Sequence, residues 1–139
     1  MYKKILAGND GSERAFKALS EAFNIAQRYQ AELHMIIVEE IPRFPGSIDE
    51  VEGEIESADA RFAPVITRSK AMAAEQGLTL HCHVVPGHPV PTIVEFIRER
   101  GIDLLVLGFM GHSAIYDRII GSKCDRLVRL APCSVVVVK

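Results

Sequence analysis

Apolar positions along this chain follow two alternating rhythms. One is the short segment rich in aliphatics: Lys4-Ile5-Leu6-Ala7, Glu32-Leu33-His34-Met35-Ile36-Ile37-Val38, Thr79 to Val85, Asp103-Leu104-Leu105-Val106-Leu107 and Ser134 to Val138. Segments of four to eight such residues predict strands, and the uninterrupted run at Leu104–Leu107 a buried parallel one. The other rhythm has the helical period. Ala15, Phe16, Leu19, Ala22, Phe23 and Ala26 recur at i, i+3, i+4 after Ser12, a suitable N-cap with Glu13 behind it. Phe62, Val65, Ile66, Ser69, Met72 and Ala73 give a second helix from about Ala58 to Gln76, closed by Gly77. Ile93, Val94 and Ile97 give a third, with Pro91 in its first turn and Gly101 at its end. A fourth runs from about Ser122 to Leu130.

Strands separated by single helices predict one α/β domain, an open parallel sheet with helices on both faces and right-handed crossovers. One stretch breaks the alternation. Residues 40–57 hold Pro42, Pro45, Gly46 and Gly53 among many acidic side chains, and the expectation there is a mobile acidic loop with at most one helical turn. Pro64 is expected near the first ordered turn of the helix that follows.

Composition narrows the partners. The chain has 139 residues, enough for one core, and its net charge of −2 gives no basic excess for nucleic acid. No signal-like pattern opens it, and no apolar run nears the roughly 18 residues of a membrane span. Cys82, Cys124 and Cys133 are odd in number and lack C-x-x-C spacing, so reduced thiols in a cytoplasmic protein are expected.

The candidate chemistry sits at the end of the fourth apolar run. Gly108, Gly111, then Gly121 and Ser122 stand as G-F-M-G, nine residues, G-S. Glycines at a strand's carboxyl end let backbone N–H groups approach a ligand without Cβ interference. A Gly-Ser opening a helix adds amides at the positive end of a helix dipole. Together they suit phosphate. In an open α/β sheet the ligand crevice lies beyond the strands' carboxyl ends at the point of reversal. If the first and fourth strands are neighbours there, Asp10 faces the glycine motif. Its carboxylate repels phosphate but accepts from ribose hydroxyls or an adenine amine. Asp10 is equally readable as an Asp-Gly turn residue, the glycines as turn or cap residues, and Lys123 as a phosphate ligand or a surface charge. Neither the P-loop pattern nor G-x-G-x-x-G after the first strand is present.

Other polar groups are weaker candidates. His81 and His83 share one strand face and Cys82 takes the other; half-exposed histidines are the plainer reading, a metal pair the sharper one. His88 and His112 lie in loops, where solvent exposure is the plainer reading and contact with a ligand the sharper one. Ser12 and Ser122 have no evident His/Asp partners, so nucleophilic catalysis is not expected.

With Asp10 before Gly11-Ser12, the turn Val85-Pro86-Gly87-His88-Pro89, the strand ending at Gly108, the spacing Gly108-x2-Gly111-x9-Gly121-Ser122 and the ending Ala131-Pro132-Cys133-Ser134 followed by four valines, the sequence resembles the ATP-binding branch of the universal stress protein family over almost its whole length. The resemblance implies a Rossmann-like, adenine-nucleotide alpha hydrolase-like domain with five parallel strands in the order 3-2-1-4-5. It implies a regulatory stress protein holding ATP, or AMP or ADP, with Mg²⁺ as the companion cation of a triphosphate. Gly8, Asn9 and Asp10 would adjoin the nucleoside, Ile37 would line the adenine pocket, and Leu107 and Gly108 would continue that wall. Gly111, His112, Gly121, Ser122, Lys123 and Cys124 would surround the phosphates. Phe109, Met110, Lys123, Cys124 and Ser134 depart from the family's usual residues. A slow ATPase or a phosphotransferase using His88 or His112, and a nucleotide-free interaction module, are the alternatives.

Val135 to Val138 is apolar on both faces although the last strand would be a sheet edge. An apolar edge invites pairing with a second chain. The family's antiparallel pairing of fifth strands implies a homodimer.

Overall fold

A computed structural model describes residues 1–40, 48–109 and 122–139, and of residues 48–59 the backbone alone. The elements run β1 (Lys4–Gly8), α1 (Glu13–Tyr29), β2 (Glu32–Glu40), α2 (Ile48–Glu75), β3 (Leu80–Gly87), α3 (Pro89–Arg100), β4 (Leu104–Gly108), α4 (Lys123–Leu130) and β5 (Ser134–Val138). The strands form one five-stranded sheet, β3-β2-β1-β4-β5, with every neighbour parallel.

Strand periodicity divides the core between the two faces. Ile5, Ala7, Leu33, Met35, Ile37, Leu104 and Val106 point to one side, where Phe16, Leu19, Ala22 and Phe23 of α1 and Phe62, Val65, Ile66 and Met72 of α2 cover them. Leu6, Ile36, Leu105 and Leu107 point to the other, under Val90, Ile93, Phe96 and Ile97 of α3 and Leu127 of α4. The first two helices therefore lie on one face and the last two on the opposite one. The reversal falls between β1 and β4, which pair directly through Ile5–Leu104, Leu6–Leu105 and Ala7–Val106.

Helix ends follow the chemistry read in the sequence. The Ser12 hydroxyl accepts from the Ala15 N–H, capping α1. At the end of α2 the Leu78 N–H reaches the Ala73 carbonyl and the Gly77 N–H the Ala74 carbonyl, with Gly77 at φ +70°. That pair of bonds is a Schellman closure, which needs a left-handed residue at this position. Gly101, at φ +66°, closes α3 in the same region.

One expectation is corrected. Helix α2 begins at Ile48, about ten residues before Ala58, so much of the stretch expected to be loop is helical. Glu and Ala dominate residues 49–63 and favour helix, and they outweigh the roughly 1 kcal/mol cost of one glycine at Gly53. Pro64 accordingly lies inside the helix, not in its first turn. Pro42, Pro45 and Gly46 lie outside the described residues.

Candidate functional site

The carboxyl ends of β1 and β4 meet at the reversal point. β1 runs into Gly8, Asn9 and Asp10, and the Asn9 N–H continues the ladder to the Ile36 carbonyl of β2. Beyond it the loop is shaped by its own side chains. Asn9 is 4% exposed. Its Oδ1 accepts from the Gly11 N–H at 2.8 Å, and its Nδ2 faces Met35 Sδ at 3.4 Å and Ser69 Oγ at 3.5 Å. Ser69 in turn donates to the Val65 carbonyl. Asn9 is thus turned into the protein. It ties the loop to β2 and α2 rather than offering its amide to the crevice. Asp10 points outward, and its Oδ1 accepts from the Ser12 N–H at 3.0 Å. This is an Asx turn, and it presents a carboxylate at the lip of β1.

Two glycines are explained by packing as well as by any ligand. A Cβ on Gly108 would stand 2.9 Å from the Arg14 carbonyl oxygen, so the first turn of α1 lies directly on the end of β4. A Cβ on Gly8 would stand 3.0 Å from Leu107 Cδ2. The missing side chains let β1, α1 and β4 converge at the switch point.

The apolar wall differs from expectation. Ile37 is 1% exposed and belongs to the face under α1 and α2, whereas Leu107 belongs to the opposite face. Side chains an odd number of strand positions apart cannot share a wall. Ile37 is therefore core. Val38, its neighbour, is half-buried on the same face as Leu107. Strand parity carried that distinction: Met35 pairs with Ala7, and Ala7 with Val106, which fixes Ile37 on their side.

At the head of α4 the Ser122 hydroxyl accepts from the Asp125 N–H at 3.1 Å, a helix cap that leaves its proton available to donate. Lys123 reaches across to β2, its Nζ 2.7 Å from Glu40 Oε1, both side chains more than half exposed. Cys124 is half-buried against the α3 side of the core. Glu39, 7% exposed, is held by the guanidinium of Arg61 from α2. Neither glutamate was singled out in the sequence, because a carboxylate ending a strand carries no pattern of its own. Gly111, His112 and Gly121 lie outside the described residues. His88 is the exposed N-cap residue of α3 and makes no side-chain cap bond. The Phe109 N–H bonds the Val138 carbonyl, and its ring sits under Lys139 Nζ at 5.2 Å.

Away from this crevice, His34 of β2 packs with His81 and His83 of β3, with ring centroids 4.9 and 5.2 Å from its own. Cys82 faces the other side, as its position predicts. Among the described residues no cluster of His, Cys, Asp or Glu has the geometry to hold a metal ion. The described thiols are all unbridged, and burial pushes the Cys82 and Cys133 thiols up from their ordinary range, so neither is an activated nucleophile. No described helix is long and apolar enough to cross a membrane.

An open parallel sheet, reversed between β1 and β4, with a carboxylate at one strand end and glycine and a capped helix at the other, defines a doubly wound α/β protein of the kind that binds ligands at its switch point. Comparison with known proteins narrows the class. The model of the universal stress protein family matches residues 1–139, and the chain belongs to that family. A universal stress protein of Methanocaldococcus jannaschii is 33% identical over 141 residues, covering 100% of this chain and 83% of that protein. The solved universal stress protein UspA from Lactobacillus plantarum superposes with a TM-score of 0.84 at 33% identity, covering 99% of this chain and 98% of the other. A universal stress protein solved in complex with cAMP superposes with a TM-score of 0.79 at 26% identity, covering 99% and 97%.

Proposed function

We propose that this universal stress protein binds an adenine nucleotide, ATP or a shorter relative, beyond the carboxyl ends of β1 and β4, and that occupancy regulates what the protein does under stress. The pairing of β1 with β4 carries this reading, because it brings Asp10, Gly108 and the capped start of α4 to one end of the sheet. The Asp10 carboxylate accepts from the nucleoside, Val38 and Leu107 supply apolar contact, and phosphate lies toward Ser122, Lys123 and the Gly111 to Gly121 segment. The solved relative in complex with cAMP supports the adenine part of the ligand. Mg²⁺ would accompany a triphosphate through its phosphate oxygens and water.

The half-exposed strand Val135 to Val138 at the β5 edge supports a homodimer through paired fifth strands. Unbridged thiols support a cytoplasmic setting.

Melting curves test the nucleotide reading. ATP, ADP, AMP or cAMP at millimolar concentration is expected to raise the melting temperature of the wild-type chain. Asp10→Ala should weaken the effective nucleotide at least tenfold, about 1.4 kcal/mol. No shift with any of the four, and no adenine nucleotide released on heating the purified protein, would overturn the reading.

A further inference from the structure

The cluster of histidines between β2, β3 and α3 has no part in the nucleotide site, and its hydrogen bonds fix its protonation state. His34 is 5% exposed. Its Nε2 lies 2.6 Å from Glu32 Oε1, and its Nδ1 lies 2.9 Å from His83 Nε2. A carboxylate only accepts, so His34 Nε2 carries a proton and donates it to Glu32. In neutral His34 the Nδ1 is then a lone pair, and His83 Nε2 must donate to it. The result is a directed chain, His83 to His34 to Glu32, running across the β2–β3 pair. His81 stacks on His34 with centroids 4.9 Å apart. The ring of Phe96, from α3, makes edge contacts with both His34 and His83, and the Arg100 guanidinium lies over that phenyl ring at 5.0 Å.

We infer that this chain is an acid-sensitive latch that fixes the β3–α3 edge to the rest of the sheet. A first added proton leaves the latch closed, because it can sit on His83 Nδ1 while Nε2 continues to donate. A second proton has no place. It would put N–H groups on both nitrogens of the 2.9 Å contact and set two imidazolium rings beside each other. The groups facing the pair are Glu32 from β2, His81 from β3 and Arg100 from α3, with Lys4 of β1 near Glu32. Glu32 is the one anion among them. It already holds the Nε2 proton of His34, and it cannot offset two new charges together with Arg100.

The titration direction agrees. Burial first, then His81 and Arg100, hold His34 below the ordinary value of 6.5 despite Glu32; burial, His34 and Arg100 do the same for His83. The unfolded or opened histidines bind protons first as the solution is acidified. The closed latch is therefore fully stabilised above about pH 6.5 and loses that stabilisation as the pH falls through the lowered values. Opening would free the Leu80–Arg100 unit, in which α3 contributes Val90, Ile93, Phe96 and Ile97 to its face of the core.

Amide hydrogen exchange, corrected for the intrinsic pH dependence, tests this on the intact chain. Between pH 7 and pH 5 the protection of Leu80–Arg100 should fall about tenfold relative to β1 and β4. In His83→Gln, which keeps a donor toward His34 but does not titrate, the relative fall should be less than about twofold. An unchanged ratio in the wild type, or an equal fall in His83→Gln, would overturn the latch. If the variant does not fold, ring-nitrogen NMR of the wild type decides. His34 should be the Nε2–H tautomer and titrate below 6.5; the Nδ1–H tautomer, or titration of His34 at or above that value, contradicts the proposal.

Discussion

Single side chains decide how the crevice differs from its pattern. The sequence left Lys123 readable as a phosphate ligand or a surface charge, and did not show its engagement by Glu40, which lies 83 residues earlier and meets it across the fold. A phosphate approaching Lys123 must compete with that carboxylate. Glu40→Gln is therefore expected to tighten ATP about threefold or more while leaving AMP little changed, an exposed pair being worth up to about 1 kcal/mol. Parallel titrations of the two nucleotides check this, and equal effects on both would contradict it. Gly108 makes a separate prediction. Its missing Cβ is what lets the Arg14 carbonyl approach, and that neighbour is backbone. Gly108→Ala should cost about 1–3 kcal/mol in urea unfolding by overpacking, whatever its effect on ligand. A neutral result would mean that α1 can shift away freely.

At the scale of elements, strands and caps were readable and one helix start was not. Short aliphatic runs bounded by Gly and Asp located all five strands, and Ser12, Gly77 and Gly101 marked helix ends with the hydrogen bonds their chemistry requires. The start of α2 was hidden because Pro42, Pro45, Gly46 and Gly53 gave a loop composition, which masked the helical i, i+3, i+7 spacing of Ile48, Val51 and Ile55 among the acidic residues. Ile37 was misplaced for a similar reason. A run of consecutive aliphatics hides which face each side chain takes until the register with β1 is known. Pro64 is exposed within α2 and removes one i to i−4 hydrogen bond. Pro64→Ala should stabilise the protein by up to about 3 kcal/mol, read from chemical denaturation. Destabilisation instead would show that the proline's bend is needed to seat the helix.

Over the whole molecule, the two-faced core and the order of its strands follow from connections that each joined neighbouring pieces, with one long return from β3 to β4. That return leaves β3 and β5 as edges. The β3 edge carries the histidine latch and the β5 edge four half-exposed valines, so the ends of one sheet suit different tasks. Light scattering after size-exclusion chromatography should give a dimer at micromolar concentration, and Val136→Lys should shift it toward monomer by placing a charge on the apolar edge. A wild-type monomer would contradict pairing through β5. The proposed nucleotide site lies at the middle of the sheet, beyond the carboxyl ends of β1 and β4. Its most direct test is calorimetric titration of the wild-type chain with ATP, ADP, AMP and cAMP in the presence of Mg²⁺. The account predicts saturable binding of at least one of the four at close to one nucleotide per chain; no saturable heat from any of them at millimolar concentration would contradict it.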